Sequence, residues 1–528
     1  MEAHVPQDFI AAILSEKGAT AAERETALLA LGGRSNADIA RELGLSDIAV
    51  RKRLGEVYKK LEIEGKGPGK LSALQHKLER LYQGRGRRSG AGRPPGPHFD
   101  VPHIDPICER SEDLETLERA IVTEGCRCLA LVGMAGTGKT TLSVQLARRL
   151  RDRFAGVAWR SLRRAPSLEE LLADLAASLF DDPGNKSDDR LSHFIDRLGQ
   201  QPYLIILDDF ETILQSETLA GQFREGYEPY REWLHCMVRG QEKSCLVVVS
   251  AETPSGLTAL NGNKVRSISP SRGENVVRAL FADRQINTTP QEWKELFDRY
   301  GNNLLAFKMA AAAISEFFAG NTGSFLKATA IYFDEHTSGS LLDTQFDRLS
   351  DAEEEVMYWL AIVGEPMSID QLRDRSLRPL SVSATISILD SLGRRSLVEK
   401  VTMAGEVKLT LQPLVEKYVR DRLAKEIDRE IRNFWTHKSL DDLKLLKNYQ
   451  IWDVDSQIQN QENGLPSVSQ QAIAELKGLV VNKNVSYGEL IAIVESMASQ
   501  LDGRDAIEIG YAKTNINGIL GELREVSP

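Results

Sequence analysis

The stretch CLALVGMAGTGKTTLS runs from Cys128 to Ser143. Its first five residues are apolar without interruption, which predicts a strand buried on both faces, and the spacing after Lys139 predicts an amphipathic helix. Between the two, Gly133 to Thr141 fits the pattern GxxxxGK[ST] in the strand, loop and helix context that the pattern requires. Gly133, Gly136 and Gly138 let the backbone curl so that its N–H groups converge, and the helix N-terminus adds positive potential. Such a loop cradles phosphate. Lys139 is expected to reach the β and γ phosphates of a nucleotide, and Thr140 to place its hydroxyl on Mg²⁺, which otherwise keeps mostly water and phosphate ligands. Thr137 and Thr141 complete the expected nucleotide-binding positions of the loop. A glycine-rich turn that merely ends a strand is the bland alternative, and a second motif counts against it.

That motif is LIILDD, Leu204 to Asp209, an apolar run ending in two carboxylates. Open α/β sheets bind ligands at such strand ends. Asp208 is expected to hold Mg²⁺ through water and Asp209 to orient or deprotonate an attacking water, with Lys139 as its catalytic partner. An acidic pair at a strand end is usually just solvated, so this reading leans on the loop about seventy residues earlier.

Outward from these motifs, GVAW near Val157, YLIILDD near Ile206 and CLVVVS near Val248 alternate with helical stretches. Alternating strands and helices predict a parallel sheet covered on both faces, an α/β P-loop NTPase domain over residues 100–265. Residues 266–339 lose the strand runs and predict a helical domain containing FKMAAAAISEFF. Over residues 340–427, three helical segments lead into SLVEKVTMAGEVKLTLQ, two alternating strands about the turn Ala404-Gly405, which suggests a winged helix. Residues 428–528 read as a helical carboxyl-terminal domain of open role, split by ENGLP at Glu462 to Pro466. No repeat of 20 to 50 residues is present there, which argues against a solenoid or propeller. Before the nucleotide domain, LYQGRGRRSGAGRPPGPH lacks any apolar period, and residues 81–99 are read as a linker. Residues 1–80 have helical spacing and predict an all-helical module.

The chain has 528 residues, 42% hydrophobic and 27% charged, enough for about three to five compact units. No stretch approaches the roughly 20 uncharged apolar residues that cross a bilayer, and Met1 to Thr20 is not signal-like, so the expectation is a cytoplasmic protein without a membrane partner. Five cysteines, among them Cys126 and Cys128, lack the spacing of a zinc site and are read as reduced thiols. The net charge of -10 argues against a protein coated in nucleic acid. The charge is uneven, however: residues 1–97 hold 17 Lys/Arg against 12 Asp/Glu. That asymmetry permits a DNA-binding arm or simply a solvated basic surface.

The runs CRCLALVGMAGTGKTTLS, VAWRSLRRAPSLEELLADL, LIILDDFETIL, REGYEPYREWL, FDRLSDAEEEVMYWLAI and LGRRSLVEKV resemble the NB-ARC proteins of bacteria, especially multidomain ones of cyanobacterial type. The resemblance covers about residues 20–424. It implies a STAND-class switch in which an ADP-bound closed form opens when ATP replaces ADP, with a homo-oligomer as a partner state. Arg110 resembles the arginine that lies against the bound nucleotide. In YGNNLLAFK, Leu304 stands where the family has the proline that packs on the base. In LQPLV, Gln412 takes the place of a histidine that contacts the β-phosphate. Ala251, in CLVVVSAETP, replaces an arginine that senses the γ-phosphate, which leaves ATP preference open and implies slow or regulatory hydrolysis. Arg160 is the candidate substitute, against the plainer reading of an exposed arginine at a sheet end.

Thr20 to Ile63 resembles a LuxR-type helix-turn-helix, including SNADIA and a second helix starting near Ser46. The resemblance implies a duplex DNA partner, with Arg51, Lys52 and Arg53 near base edges or phosphates and Lys59 and Lys60 on the backbone. A solvated charge run on a protein–protein adaptor is the competing reading. His437, Asp441, Asp442, Asp453 and Asp455 lack a metal or nuclease spacing and are read as surface.

Overall fold

In a computed structural model the described residues are 10, 13–14, 17, 19–31, 39–40, 43, 45–61, 74, 98–102, 110–180, 190–240, 243–258, 264–329, 331–332, 340–376, 380–403, 405–452, 466–482 and 486–526. Two compact units are present, residues 1–96 and residues 97–528.

In the first unit, α1 (Ala21–Leu31) and α2 (Asp47–Lys60) pack through Ala27, Val50, Leu54 and Val57, all buried. Ser46 caps α2 by accepting from the Ala49 amide. SNADIA and the basic run Arg85 to Arg93 lie largely or wholly outside the described residues, as do Cys108, Asp453 and Asp455.

The second unit is built on a six-stranded parallel sheet in the order β1-β3-β4-β5-β2-β6. Its strands are β1 (His98–Asp100), β2 (Cys128–Val132), β3 (Gly156–Ser161), β4 (Tyr203–Asp208), β5 (Cys245–Ser250) and β6 (Val265–Ile268). Leu129, Leu131, Leu204, Ile206, Val247 and Val249 fill one apolar core, while Ala130, Val132, Ile205, Leu207, Leu246 and Val248 fill another. This alternation is what a parallel strand covered on both faces produces. Helices α3 (Ser111–Glu118), α4 (Lys139–Arg149), α5 (Leu168–Leu179), α6 (Arg190–Gln200), α7 (Pro229–Arg239) and α8 (Ser255–Thr258) complete this layer. Residues 98 and 99, assigned to the linker from composition, instead pair with β3 through Gly156 and Val157. The flanking Gly/Pro run hid the strand, because an edge strand of three residues carries no periodic signal of its own.

Four helices follow, α9 (Glu274–Asp283), α10 (Pro290–Tyr300), α11 (Leu304–Phe317) and α12 (Thr322–Ala328). Then come α13 (Ser340–Phe346), α14 (Asp351–Val363), α15 (Ile369–Arg375) and α16 (Val382–Arg394), closed by the antiparallel hairpin β7 (Val398–Met403) and β8 (Glu406–Leu411). Met367 joins the hairpin by exchanging two backbone hydrogen bonds with Leu409.

The expected boundary at 427 falls inside one helix, α17 (Pro413–His437), with Leu414, Val419, Leu423, Ile427, Ile431 and Phe434 buried along it. Apolar residues at helical spacing continue through the expected boundary. With α18 (Leu445–Asn448), α19 (Val468–Asn482), α20 (Tyr487–Leu501), α21 (Ala506–Ile509) and α22 (Ala512–Val526), α17 shares a hydrophobic core that extends from Met134 to Leu523. Among the described residues no helix is long and apolar enough to cross a membrane.

Candidate functional site

A cleft of about 740 Å³ opens at the carboxyl end of β2. One wall is the loop and first turn of α4, with Gly136, Gly138, Lys139, Thr140 and Thr141. The other wall comes from α9 and α11, with Val276, Val277, Leu280, Leu304 and Leu305. One side is therefore rich in backbone donors and the other is apolar, which suits an object with a charged tail and a flat ring.

The loop conformation rests on two glycines at φ 85°, Gly136 and Gly138. A side chain at Gly136 would meet Asn303 Oδ1 at 2.5 Å, and one at Gly138 would meet Leu304 Cδ1 at 3.0 Å. These glycines thus admit the start of α11 as well as phosphate. Asn303 caps α11 by accepting from the Ala306 amide and donates to Ala135 O at 2.9 Å. Leu305 N donates to Gly136 O, and Ala135 N donates to Gln345 Oε1 at 3.0 Å. Leu304 lines the cleft, and the Asn303 cap supplies the helix start that a proline would otherwise favour.

Lys139 Nζ donates to Gly133 O at 2.7 Å and to Met134 O at 3.1 Å. Burial lowers its ammonium pKa below the usual lysine range, opposed by Glu211, Asp208 and Asp209 in that order of strength. Thr137 is fully buried and donates its hydroxyl to Met134 O, so it shapes the loop from beneath. Arg110 is clamped: it donates to Thr137 O at 2.7 Å and to Ser271 O, and pairs with Asp113 at 2.9 Å. It lines the cleft while fastening the loop to the entry of α9.

Asp208 ends β4, is 4% exposed and shares a hydrogen bond with the Thr140 hydroxyl. Burial raises its pKa to about 6. A hydroxyl and a carboxylate held together at the mouth of a phosphate loop are the hard oxygen donors that Mg²⁺ takes, so these residues fit the ion. Among the described residues no cluster of three or more His, Cys, Asp or Glu makes an all-protein metal cage.

Asp209 sits at φ 55° and turns toward β3, accepting from Ser161 Oγ at 2.6 Å with Arg163 3.9 Å away. The carboxylate on the β5 side is Glu211, which accepts from Ser250 Oγ at 3.1 Å and from Ala251 N at 3.0 Å. Glu211 is not among the expected site residues, although LIILDDFE carries a third carboxylate three residues after Asp208. Arg160 is engaged elsewhere, paired with Asp100 and Asp174. Gln412 lies outside the cleft lining, and its Nε2 donates to Glu399 at 2.8 Å.

In the first unit, Lys60 pairs with Glu23 at 2.5 Å and Lys59 with Glu56 at 2.9 Å. Two of the five expected DNA contacts are therefore partly neutralised within the protein. Lys52 is exposed and Arg53 half-buried on α2, while the side chain of Arg51 lies outside the described residues.

Residues 110–224 match the NB-ARC domain family. An uncharacterized WD repeat-containing protein of Nostoc sp. is 37% identical over 361 residues, covering 64% of this chain and 28% of that protein. The chain thus spans less than a third of the length of this curated relative. Among solved structures, the Walker-type ATPase of Pyrococcus abyssi is similar at 13% identity and a TM-score of 0.42, covering 61% of this chain and 98% of that one. The RuvB Holliday junction branch migration motor of Thermotoga maritima is similar at 12% identity and a TM-score of 0.29, covering 57% and 90%. The span that matches the NB-ARC domain family contains the phosphate loop and Asp208.

Proposed function

We propose that this protein is a switch that binds ADP or ATP with Mg²⁺ in the cleft between the phosphate loop and helices α9 and α11. The observation that carries the reading is the two-sided lining, with Lys139 and the loop on one wall suited to phosphates and Leu304 and Leu280 on the other suited to a base. Such a ligand bridges two layers of the second unit and so stabilises their closed arrangement by its differential affinity. Lys139, Thr140, Thr141 and the loop amides bind the phosphates. Thr140 and Asp208 are the residues that would hold Mg²⁺, which neutralises phosphate charge when bound. Asp209, held by Ser161, and Glu211 are the carboxylates available to orient a water, and hydrolysis is expected to be slow because Ala251 supplies no cation. The helices α14 to α16 with their hairpin act as a winged helix that closes on the nucleotide domain. The protein works in the cytoplasm, and exchange for ATP favours assembly with further copies.

For the amino-terminal unit, the basic residues Arg51, Lys52 and Arg53 at the start of α2 support duplex DNA binding, making the protein a signal-dependent transcription regulator. A second reading is an adaptor for protein–protein assembly, and the pairing of Lys60 with Glu23 and Lys59 with Glu56 favours it. Purification followed by identification of the bound nucleotide, then titration with ADP and ATP, tests the switch. Micromolar or tighter binding of an adenine nucleotide is expected; binding of neither would refute it.

A further inference from the structure

The end of β5 holds a negative charge where a positive one would be useful. Ser250 is 1% exposed and donates its hydroxyl to Glu211, while the Ala251 amide donates to the same carboxylate oxygen. This pins Glu211 against the strand that lies between the phosphate-loop strand β2 and the Asp208 strand β4. Phosphates that run from the loop amides past Lys139 toward Thr140 and Asp208 place the third one over this strand end. Lys139 feels Glu211 more strongly than it feels Asp208 or Asp209, which agrees with that placement. Asp209, by contrast, is turned away onto Ser161.

Apart from the long-range attraction of Lys139, no cation is paired with this carboxylate among the described residues. Among the described residues, none of the ion pairs includes Glu211, and the arginines around the site are engaged elsewhere. Arg110 holds Thr137 O, Ser271 O and Asp113; Arg160 holds Asp100 and Asp174; Arg163 lies beside Asp209. Arg348 and Arg395 are both taken by Glu252. A third phosphate would therefore add charge beside a carboxylate that has no ion-pair partner and faces only the Lys139 ammonium that the phosphates themselves engage, in a partly buried setting where repulsion is weakly screened.

We propose that Glu211 sets the phosphate preference of the site, holding the strand end negative so that a nucleoside diphosphate is favoured over a triphosphate. This rests on the nucleotide reading above. The α and β phosphates meet the loop and Lys139 and are little affected, so the discrimination falls on the third phosphate.

The test is calorimetric titration of the full chain with ADP and with ATP, each with Mg²⁺, for the wild type, Glu211→Gln, Ala251→Arg and Asp209→Asn. Glutamine keeps an acceptor for the Ser250 hydroxyl and the Ala251 amide while removing the charge. Glu211→Gln is expected to raise the ATP/ADP affinity ratio by about tenfold, chiefly through ATP, since each tenfold step corresponds to 1.4 kcal/mol. Ala251→Arg, placing a cation beside Glu211, is expected to move the ratio the same way, and Asp209→Asn to move it less. An unchanged ratio in Glu211→Gln that still binds ADP overturns the inference, as does a larger change in Asp209→Asn. Binding of neither nucleotide to the wild type overturns the nucleotide reading itself.

Discussion

Arg395 and Glu252 form a buried ion pair across 143 positions of sequence, with side chains 3% and 2% exposed. Glu252 also receives Arg348 at 2.7 Å, and Arg395 reaches Glu353 at 3.1 Å. Glu353 is at the same time the capping-box residue of α14, bonded to Ser350. Two guanidiniums and two carboxylates thus neutralise each other between the end of β5 and the helices before the hairpin. Around them, Thr253 N donates to Arg394 O, Ala220 N to Ser391 Oγ and Arg395 Nη2 to Thr218 O.

Removing one partner leaves a buried charge unmatched, a loss of ~3–5 kcal/mol in such networks. Glu252→Gln is therefore expected to loosen the contact between the nucleotide domain and α14 to α16 while leaving the sheet folded. Limited proteolysis should cut faster between residues 329 and 351, and scattering should report a larger radius of gyration. An unaltered proteolytic pattern and radius would show that the network does not hold the closed form.

Lys139→Ala is expected to weaken ADP binding at least 100-fold, because the loop amides alone lack the charge that a β-phosphate requires. The fold should survive, since among the described residues the ammonium donates to Gly133 O and Met134 O, both within the loop. Submicromolar binding of both ADP and ATP by this variant would remove the cleft as the nucleotide site.

Asp208 gives the site a pH dependence whose sign follows from burial. Its pKa is raised from 3.8 to about 6, so the cation-free native state holds a proton that the unfolded chain has released between those values. The contribution of this group to stability accordingly falls as pH rises through that window. Mg²⁺ competes with the proton, so the Mg²⁺-dependent part of ADP affinity should decline as pH drops below about 6. Titrations at pH 5.5 and 7.5, with and without Mg²⁺, check this. Asp208→Asn should flatten the difference, and a Mg²⁺ effect that is the same at both pH values in the wild type would contradict it.

For the amino-terminal unit, Arg51→Ala with Arg53→Ala is expected to weaken duplex binding by the full chain more than Lys59→Ala with Lys60→Ala. The lysine pair is already engaged by Glu56 and Glu23. Base-edge contacts are worth about 1–3 kcal/mol each, whereas phosphate contacts chiefly change the salt slope. Fluorescence anisotropy with a labelled duplex at two salt concentrations separates the cases. Equal small effects, or no binding at low salt, would favour the adaptor reading.

What the sequence disclosed and what it concealed divide along a physical line. The apolar strands, the phosphate loop and Asp208 were legible because each is a local pattern: a run buried on both faces, glycines at fixed offsets, a carboxylate at a strand end. Glu211 was missed because its role depends on which neighbouring strand its side chain leans on, here Ser250 and Ala251 of β5. The bracing of the loop by Asn303 and Gln345 joins residues 168 and 210 positions apart, and no spacing rule reaches that far. Lys60 looked like a free cation on a helix face until the fold brought Glu23 beside it. The boundary at 427 failed for the opposite reason, since the periodicity of α17 is local and runs through it unbroken.

Hydrogen exchange of the full chain with and without ADP and Mg²⁺, read by mass spectrometry, tests most directly whether one nucleotide bridges the two walls of the cleft. Slower exchange is expected both in residues 136–141 of the phosphate loop and in residues 276–283 and 304–308 of α9 and α11, the two sides of the lining. Protection confined to the phosphate loop, with α9 and α11 exchanging as they do without nucleotide, would contradict the switch.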